Sequence, residues 1–348
     1  MSWEIYDFIS LVNDITGGNR KFQSTEYQTF GAFPIVDQSE KFISGFTNEN
    51  AIVKRKKEVV LFGDHTKTLK FVDFDFCLGA DGVKVLEPVN ELDTKFLYYF
   101  LNTITLPDVG YSRHFKFLKE LKIPLPPLAT QKLIVEILDA ADALRRQDQE
   151  LIKKYDELSQ AIFIKMFGDP VKNEMGWEQR NFFEIFEVTT GKKDSNASSK
   201  NGAYPFFTCS KDILRINSFS YDFECLLLAG NNAAGIYDIK HYNGKFDAYQ
   251  RTYILRLKFE DDKYLFYKLL LEKYLEELQK SSIGSGTKYL TLEIFKRFNF
   301  ISPPINLQHQ FSEKMKLIDS LKFIISEQKN NSLFNSLVQK AFAGALVS

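Results

Sequence analysis

The sequence predicts an α+β fold written twice: two similar mixed α/β globular domains separated by two long antiparallel coiled-coil helices, related by a pseudo-twofold internal repeat. Three observations predict it. Short motifs recur in one order at a near-constant displacement. Aromatic and β-branched runs of strand length alternate with turns. Two stretches carry apolar residues in alternating steps of three and four, the spacing of a helix with a supercoil partner.

Composition bounds the rest. The chain has 348 residues, 44% hydrophobic and 15% aromatic, with 33 Phe and 16 Tyr. At about 150 residues per domain this makes two or three units with ample apolar area, which excludes disorder. The longest apolar clusters, such as Leu226 to Ala229, have strand length, far short of the ~18 residues of a membrane span. Glu4, Asp7 and Asp14 interrupt the N-terminal stretch, so no secretory signal is read there and a cytoplasmic location is expected. Cys77, Cys209 and Cys225 are widely spaced and are expected in the core. His65, His114, His241 and His309 form no metal-binding pair, so no metal site is expected. Lys plus Arg equals Asp plus Glu at 45 each, so a nucleic-acid function has to come from local patches.

The repeat sets the order of the elements. Trp3-Glu4 and Thr16-Gly17 recur as Trp177-Glu178 and Thr190-Gly191, displaced by 174. Gly31 to Pro34 recurs as Gly202 to Pro205, displaced by 171. Pro126-Pro127-Leu128 and Gln131 recur as Pro303-Pro304-Ile305 and Gln308, displaced by 177, and Lys165-Met166-Phe167 as Lys340-Ala341-Phe342, displaced by 175. These matches divide the chain into a first domain (1–125), a first spacer helix (126–170), a second domain (171–302) and a second spacer helix (303–348). Within the domains, Glu58 to Phe62, Phe71 to Leu78 and Tyr253 to Phe259 read as strands, and Thr94 to Leu101 and Asp262 to Gln279 as helices.

The spacer helices are expected over 128–167 and 305–343. Paired prolines mark each start, with Thr130 or Asn306 as N-cap, and Gly168-Asp169-Pro170 stops the first. The first seam reads Ile134, Ile137, Ala141, Leu144, Asp148, Leu151, Tyr155, Leu158 and Ile162, with Asp148 the one polar break. The second reads Phe311, Met315, Ile318, Leu321 and Ile325, and resumes out of phase at Leu333 and Leu337. About 38 residues make a rod of roughly 57 Å, which would hold two domains apart.

The order of domain, Ile123 to Gln131, long helix ending Lys165 to Pro170, and the whole pattern again resembles the specificity subunit of type I restriction-modification systems, over essentially the entire chain. Phe62 to Thr66 and Gly79 to Lys84 resemble segments of that family's target-recognition domains. The resemblance implies two target-recognition domains, each reading one half of a bipartite, asymmetric site in double-stranded DNA. It further implies paired helices that fix the spacer and dock two modification (methyltransferase) subunits, with restriction/translocase subunits beside them. No cofactor is implied in this subunit; S-adenosylmethionine, ATP and Mg²⁺ belong to the partners, which methylate adenine and cleave. Many members carry a longer segment before the first domain, whereas this sequence opens close to Trp3.

Candidate DNA contacts in the first domain are Lys21, Lys54, Arg55, Lys57, His65, Thr66, Lys67, Tyr111, Arg113 and His114. In the second they are Lys192, Lys193, Asn231, Asn232, Gln250, Arg251, Ser285, Lys288 and Tyr289. Asn, Gln and Arg can bond base edges in pairs, while Lys clusters hold phosphates. Two other readings compete. Pro107-Asp108 with Glu120-Leu121-Lys122 loosely fits a metal-dependent nuclease, but the second copy lacks an equivalent. A coiled-coil scaffold without DNA contact would explain the helices but not the two basic-looped domains. Ser302 to Ile305 lacks the residues of an adenine-methylating tetrapeptide, and no nucleophile arrangement or phosphate-cradling loop is legible, so catalysis is expected to lie elsewhere.

Overall fold

The computed structural model describes residues 3–80, 82–107, 112–233, 235–261, 263–327 and 330–346. The chain forms two compact units, one of residues 1–149 and 328–348 and the other of residues 150–327. Among the described residues, five helices have nine or more residues: α1 (Thr94–Asn102), α2 (Leu128–Phe167), α3 (Tyr264–Ser281), α4 (Ile305–Glu327) and α5 (Asn330–Phe342). None is long and apolar enough to cross a membrane.

Both globular heads, the parts outside the long helices, open with the same device. In the first, Glu4–Asp7 pairs antiparallel with Lys122–Leu125, and a one-turn helix, Phe8–Leu11, follows. In the second, Gln179–Asn181 pairs with Asn299–Ile301, and Phe182–Ile185 follows. The chain closes each head by returning to its first strand just before the paired prolines. The first head then holds two four-stranded sheets. One places Val12–Asp14, Val83–Pro88, Val59–Gly63 and Leu69–Val72 side by side; the other holds Lys21–Phe22, Cys77–Gly79, Phe33–Val36 and Gly45–Thr47. The second head builds one six-stranded sheet around Tyr221–Ala229, which lies between Thr252–Leu257 and Ile239–Ala248. The run expected as one strand over Phe71 to Leu78 is two, in different sheets, because Asp73 to Phe76 turns the chain between them.

The stalk helices start at the residues after the prolines, so Thr130 and Asn306 stand inside the first turn and are not N-caps. Instead, glutamine fastens each helix start to the chain that enters it. Gln131 donates to the Pro126 carbonyl at 2.8 Å and to the Glu91 carbonyl at 2.8 Å, and accepts from Asp93 N at 2.8 Å. Gln308 makes the corresponding bond to the Pro303 carbonyl at 3.0 Å. The buried side-chain amide thereby supplies a donor to a carbonyl of the chain that enters the helix. Gly168, at φ +75°, ends α2 with its N–H on the Ile164 carbonyl at 2.8 Å.

Within each unit the stalk helices pair antiparallel. In the first, Asn330 donates to Asp148 at 2.8 Å, Arg145 lies 5.2 Å over the Phe334 ring, and Ile134, Leu138 and Ala341 share one core. In the second, Lys322 bonds Asp156 at 2.5 Å, while Phe163 and Phe167 pack on Phe311 at 5.6 and 5.5 Å. Every seventh position of the expected first seam faces inward: Ile134 and Ala141 are buried and Asp148, Tyr155 and Ile162 are half-buried. The intervening positions are displaced by one. Leu144, Leu151 and Leu158 are 47%, 41% and 45% exposed, and Ile137 is only half-buried. Leu138, Arg145, Ile152 and Ser159 turn inward instead. The inner face of α2 is therefore partly polar, with buried Asp142 bonding Arg145 at 2.5 Å, and a search for leucines follows its flank. On the second seam Phe311, Met315, Ile318 and Ile325 are buried and Leu321 half-buried. Past the out-of-phase point, Leu337 packs on the first unit's core, whereas Leu333 is exposed and Phe334 takes its place.

Candidate nucleic-acid interface

Each head ends in a junction of three segments far apart in sequence. In the first, these are the tip 63–67 after strand Val59–Gly63, the turn at Gly82, and the segment 112–115. Asp64 joins them. Its N–H bonds the Gly82 carbonyl at 2.6 Å, its carbonyl accepts from His114 N at 2.9 Å, and its carboxylate accepts from Phe115 N at 2.7 Å. Gly82 is required on two counts: its φ is +88°, and an added Cβ would lie 2.7 Å from His65. Gln38, from the chain after strand Phe33–Val36, completes the junction. It accepts from His65 N at 3.3 Å, and its carbonyl accepts from Thr66 Oγ1 at 2.7 Å.

Of the expected first-domain residues, the structure brings His65, Thr66, Lys67, Arg113 and His114 to this junction. Thr66 and Arg113 are exposed and His65 and Lys67 half-buried. His114 is a positioning residue and not a contact, since it is 1% exposed with Nδ1 on the Asp64 carbonyl at 3.0 Å. Tyr111 and Asp108 lie outside the described residues. The basic run is elsewhere. It precedes Val59, at the start of the strand whose other end carries the tip, about 20 Å away at ~3.3 Å per residue. There Lys57 Nζ bonds the Val89 and Leu92 carbonyls at 2.8 and 3.3 Å, and Arg55 bonds the Lys57 carbonyl and Asp75 at 2.8 and 3.4 Å. These two side chains fasten the start of α1 and the strand, so they are structural; Lys54 is exposed beside them. Lys21 lies on the second sheet, paired with Leu78.

In the second head all nine expected residues gather around one corner, residues 248–252. On one side Gly191 N bonds the Thr252 carbonyl at 3.1 Å and Lys193 N the Ala248 carbonyl at 3.2 Å, which brings Lys192 and Lys193 beside Gln250. On the other side Gly230 N bonds the Arg251 carbonyl at 2.9 Å, and Asn231-Asn232 then pairs with Tyr289-Lys288. An added Cβ on Gly230 would lie 2.4 Å from the Arg251 carbonyl, so only glycine allows this approach. Ile283 and Tyr289 exchange two backbone bonds, closing the loop that exposes Ser285. Arg251 is exposed, with its guanidinium 5.2 Å from the centre of the Tyr289 ring.

Sequence reasoning missed Gln38 and the role of Cys209. Cys209 is not a core residue: it is half-buried, and its thiol donates to the Arg251 carbonyl at 3.4 Å. Cys77 and Cys225 are buried, and burial pushes the Cys225 thiol up to about 12. Gln38 and Cys209 are related by the 171-residue displacement of the Gly-x-x-Pro match, which relates the two positions without marking either as part of the junction. Among the described residues no group of three or more His, Cys, Asp or Glu is placed to hold a metal ion.

The family model of the type I restriction modification DNA specificity domain matches residues 4–154 and 174–335. The chain belongs to this family. Its two matched segments each contain one head, its strand pair and part of a stalk helix. The chain is 33% identical over 144 residues to the specificity subunit of the type I restriction enzyme EcoDI of Escherichia coli, an alignment covering 41% of this chain and 31% of that protein. It is 23% identical over 373 aligned positions to the specificity subunit of the MjaVIII type I enzyme of Methanocaldococcus jannaschii, covering 92% of this chain and 84% of the relative. The fold resembles that of the type-I restriction-modification system S subunit from M. genitalium, with a TM-score of 0.62, 16% identity, and 98% and 96% of the two chains covered.

Proposed function

We propose that this protein is the sequence-reading subunit of a type I restriction-modification complex, each head reading one half of a bipartite, asymmetric site in double-stranded DNA. The observation that carries the reading is the repeated junction. Both heads end in the same three-segment closure while the side chains on it differ completely, so one frame presents two unrelated chemistries. A symmetric reader of a palindrome would carry the same side chains twice.

The rest follows from the family. Two modification subunits would dock on this chain, bringing S-adenosylmethionine for adenine methylation, and restriction subunits would bring ATP and Mg²⁺ for translocation and cleavage. The chain itself would supply sequence choice and no catalysis, and it would act in the cytoplasm. The heads, 1–125 and 171–302, are the exchangeable parts, and the stalk segments 126–170 and 303–348 the constant ones. The test is exchange of residues 171–302 for the corresponding domain of another specificity subunit, followed by mapping of methylated adenines. Exactly one half of the site should change. A change in both halves, or in neither, overturns modular reading. DNA affinity should also fall steeply with salt; a flat response supports the scaffold reading.

A further inference from the structure

The corner of the second head contains an arginine, Arg251, prepared differently from Arg215 and Arg256 of the same sheet. Arg215 is spent on the Gly202 and Ala203 carbonyls at 3.0 and 2.7 Å, and Arg256 pairs with Glu187 at 3.3 Å. Arg251 makes no side-chain hydrogen bond or ion pair among the described residues. Its backbone is nevertheless fixed: its carbonyl accepts from both Gly230 N and the Cys209 thiol, and the preceding residue is tied by Gln250 N to the Lys193 carbonyl at 3.0 Å. Its guanidinium rests on Tyr289, and Tyr289 is itself pinned by its pairing with Asn231 and Ile283.

A ring under a guanidinium restricts its motion without consuming its donors, because the attraction is to the π face while the N–H groups point outward in the plane. The guanidinium over Tyr289 keeps its planar fork of donors available, and the complement of that fork is two acceptors side by side. In the DNA major groove the pair of that spacing is N7 and O6 of guanine. A phosphate contact needs no such preparation, since a lysine serves it as a point charge.

We propose that Arg251, its guanidinium over the Tyr289 ring, reads a guanine in the half-site of the second head. This rests on the DNA-reading function proposed above and assigns its residue and base. The test is selection of bound sites by the full chain from a randomised double-stranded DNA pool, wild type beside Arg251→Ala, Arg251→Lys, Tyr289→Leu and Tyr289→Phe. The wild type should select two half-sites. Arg251→Ala should lose preference at one G·C pair, by about 5- to 150-fold, and leave the other half-site intact, which also shows that the variant folds. Arg251→Lys keeps the charge and should lose that preference too. Tyr289→Phe should keep it, and Tyr289→Leu should weaken it at the same base pair.

Uniform weakening with every base preference kept makes Arg251 a phosphate contact and overturns the proposal. So does loss of preference at a pair without guanine, or an unchanged motif. If the wild type selects no motif at all, the reading function falls and this assignment with it, an outcome distinct from the others.

Discussion

The junctions of the two heads use one wiring and opposite fillings. In the first, the residue after the strand is Asp64, buried, with its carboxylate turned inward onto Phe115 N. In the second, the equivalent residue is Gly230, whose N–H bonds the Arg251 carbonyl at 2.9 Å and whose carbonyl accepts from Leu290 N at 2.9 Å. The first head adds a buried carboxylate to its backbone bonds and, among the described residues, leaves Thr66 and Arg113 exposed there. The second has glycine in that place and is closed by backbone bonds and the Cys209 thiol, with the Arg251 side chain left outside the closure. Backbone hydrogen bonds are indifferent to sequence, so a frame built on them tolerates any loop chemistry.

The largest expected contrast lies where the stalk meets the heads. Phe167 is fully buried against Phe163, Phe266 and Phe311, with ring centres 4.9 to 5.5 Å away, whereas its counterpart Phe342 is only half-buried against Phe96 and Phe100. Phe167→Ala should cost about 3–5 kcal/mol by cavity formation, and Phe342→Ala clearly less, as read by denaturant titration. Equal losses would mean that the two cores are interchangeable.

The next contrast is the closing device itself. Asp64→Ala strands the buried Phe115 N–H and should cost about 1–3 kcal/mol. It should also degrade the preference of one half-site while the other holds, by the same pool selection. Gly230→Ala should do the reverse, since the approach to Arg251 is lost.

Acid should sharpen the difference further. Burial raises Asp14, but hydrogen bonds from Lys84, at 2.8 Å, and Thr16 outweigh it and hold the carboxyl below the ordinary value. At Asp37 burial is likewise outweighed, by Ser44 and Ser39. A carboxyl lowered in the folded state contributes stability that is complete above the ordinary aspartate value of 3.8 and lost as pH falls below it. Stability of the wild type should therefore hold down to about pH 5 and drop below about 4. Asp37→Asn should start lower and show a shallower drop; an equally steep one would remove Asp37 from the account. The smallest effect is chemical: a thiol reagent should modify Cys209 in the native protein while Cys225, buried and raised to about 12, stays protected until unfolding.

Much of this was legible in the sequence, for identifiable reasons. Repeats and proline pairs are local signals, so the halves, the start of each stalk helix and the stop at Gly168 could be read directly. The seam slipped by one at alternate positions because Asp142, Arg145 and Asp148 occupy the inner face as hydrogen-bonded groups, which hydrophobic patterning treats as surface. The run at Lys54 misled in the opposite direction. Lysine and arginine are usually solvated, yet Lys57 and Arg55 found backbone carbonyls that no spacing rule reveals. Second-head residues came out together because Gly, Asn and Gln at tight turns mark corners, and the corners of this sheet converge. Gln38 carried no pattern of its own, and Cys209, at the same place in the other copy, reads as a core cysteine, so neither pointed to the junction.

The glutamine clasps at Gln131 and Gln308 bear on how such a chain could acquire a new spacing. With the first turn of each helix anchored to the preceding prolines, an inserted residue cannot be absorbed by fraying at that end. It advances everything beyond it by about 1.5 Å and swings it by about 100°. Seven residues nearly restore the original bearing, falling about 20° short. Viable length variants should thus come in near-whole turns, like the teeth of a ratchet, and intermediate lengths should be missing from those that work.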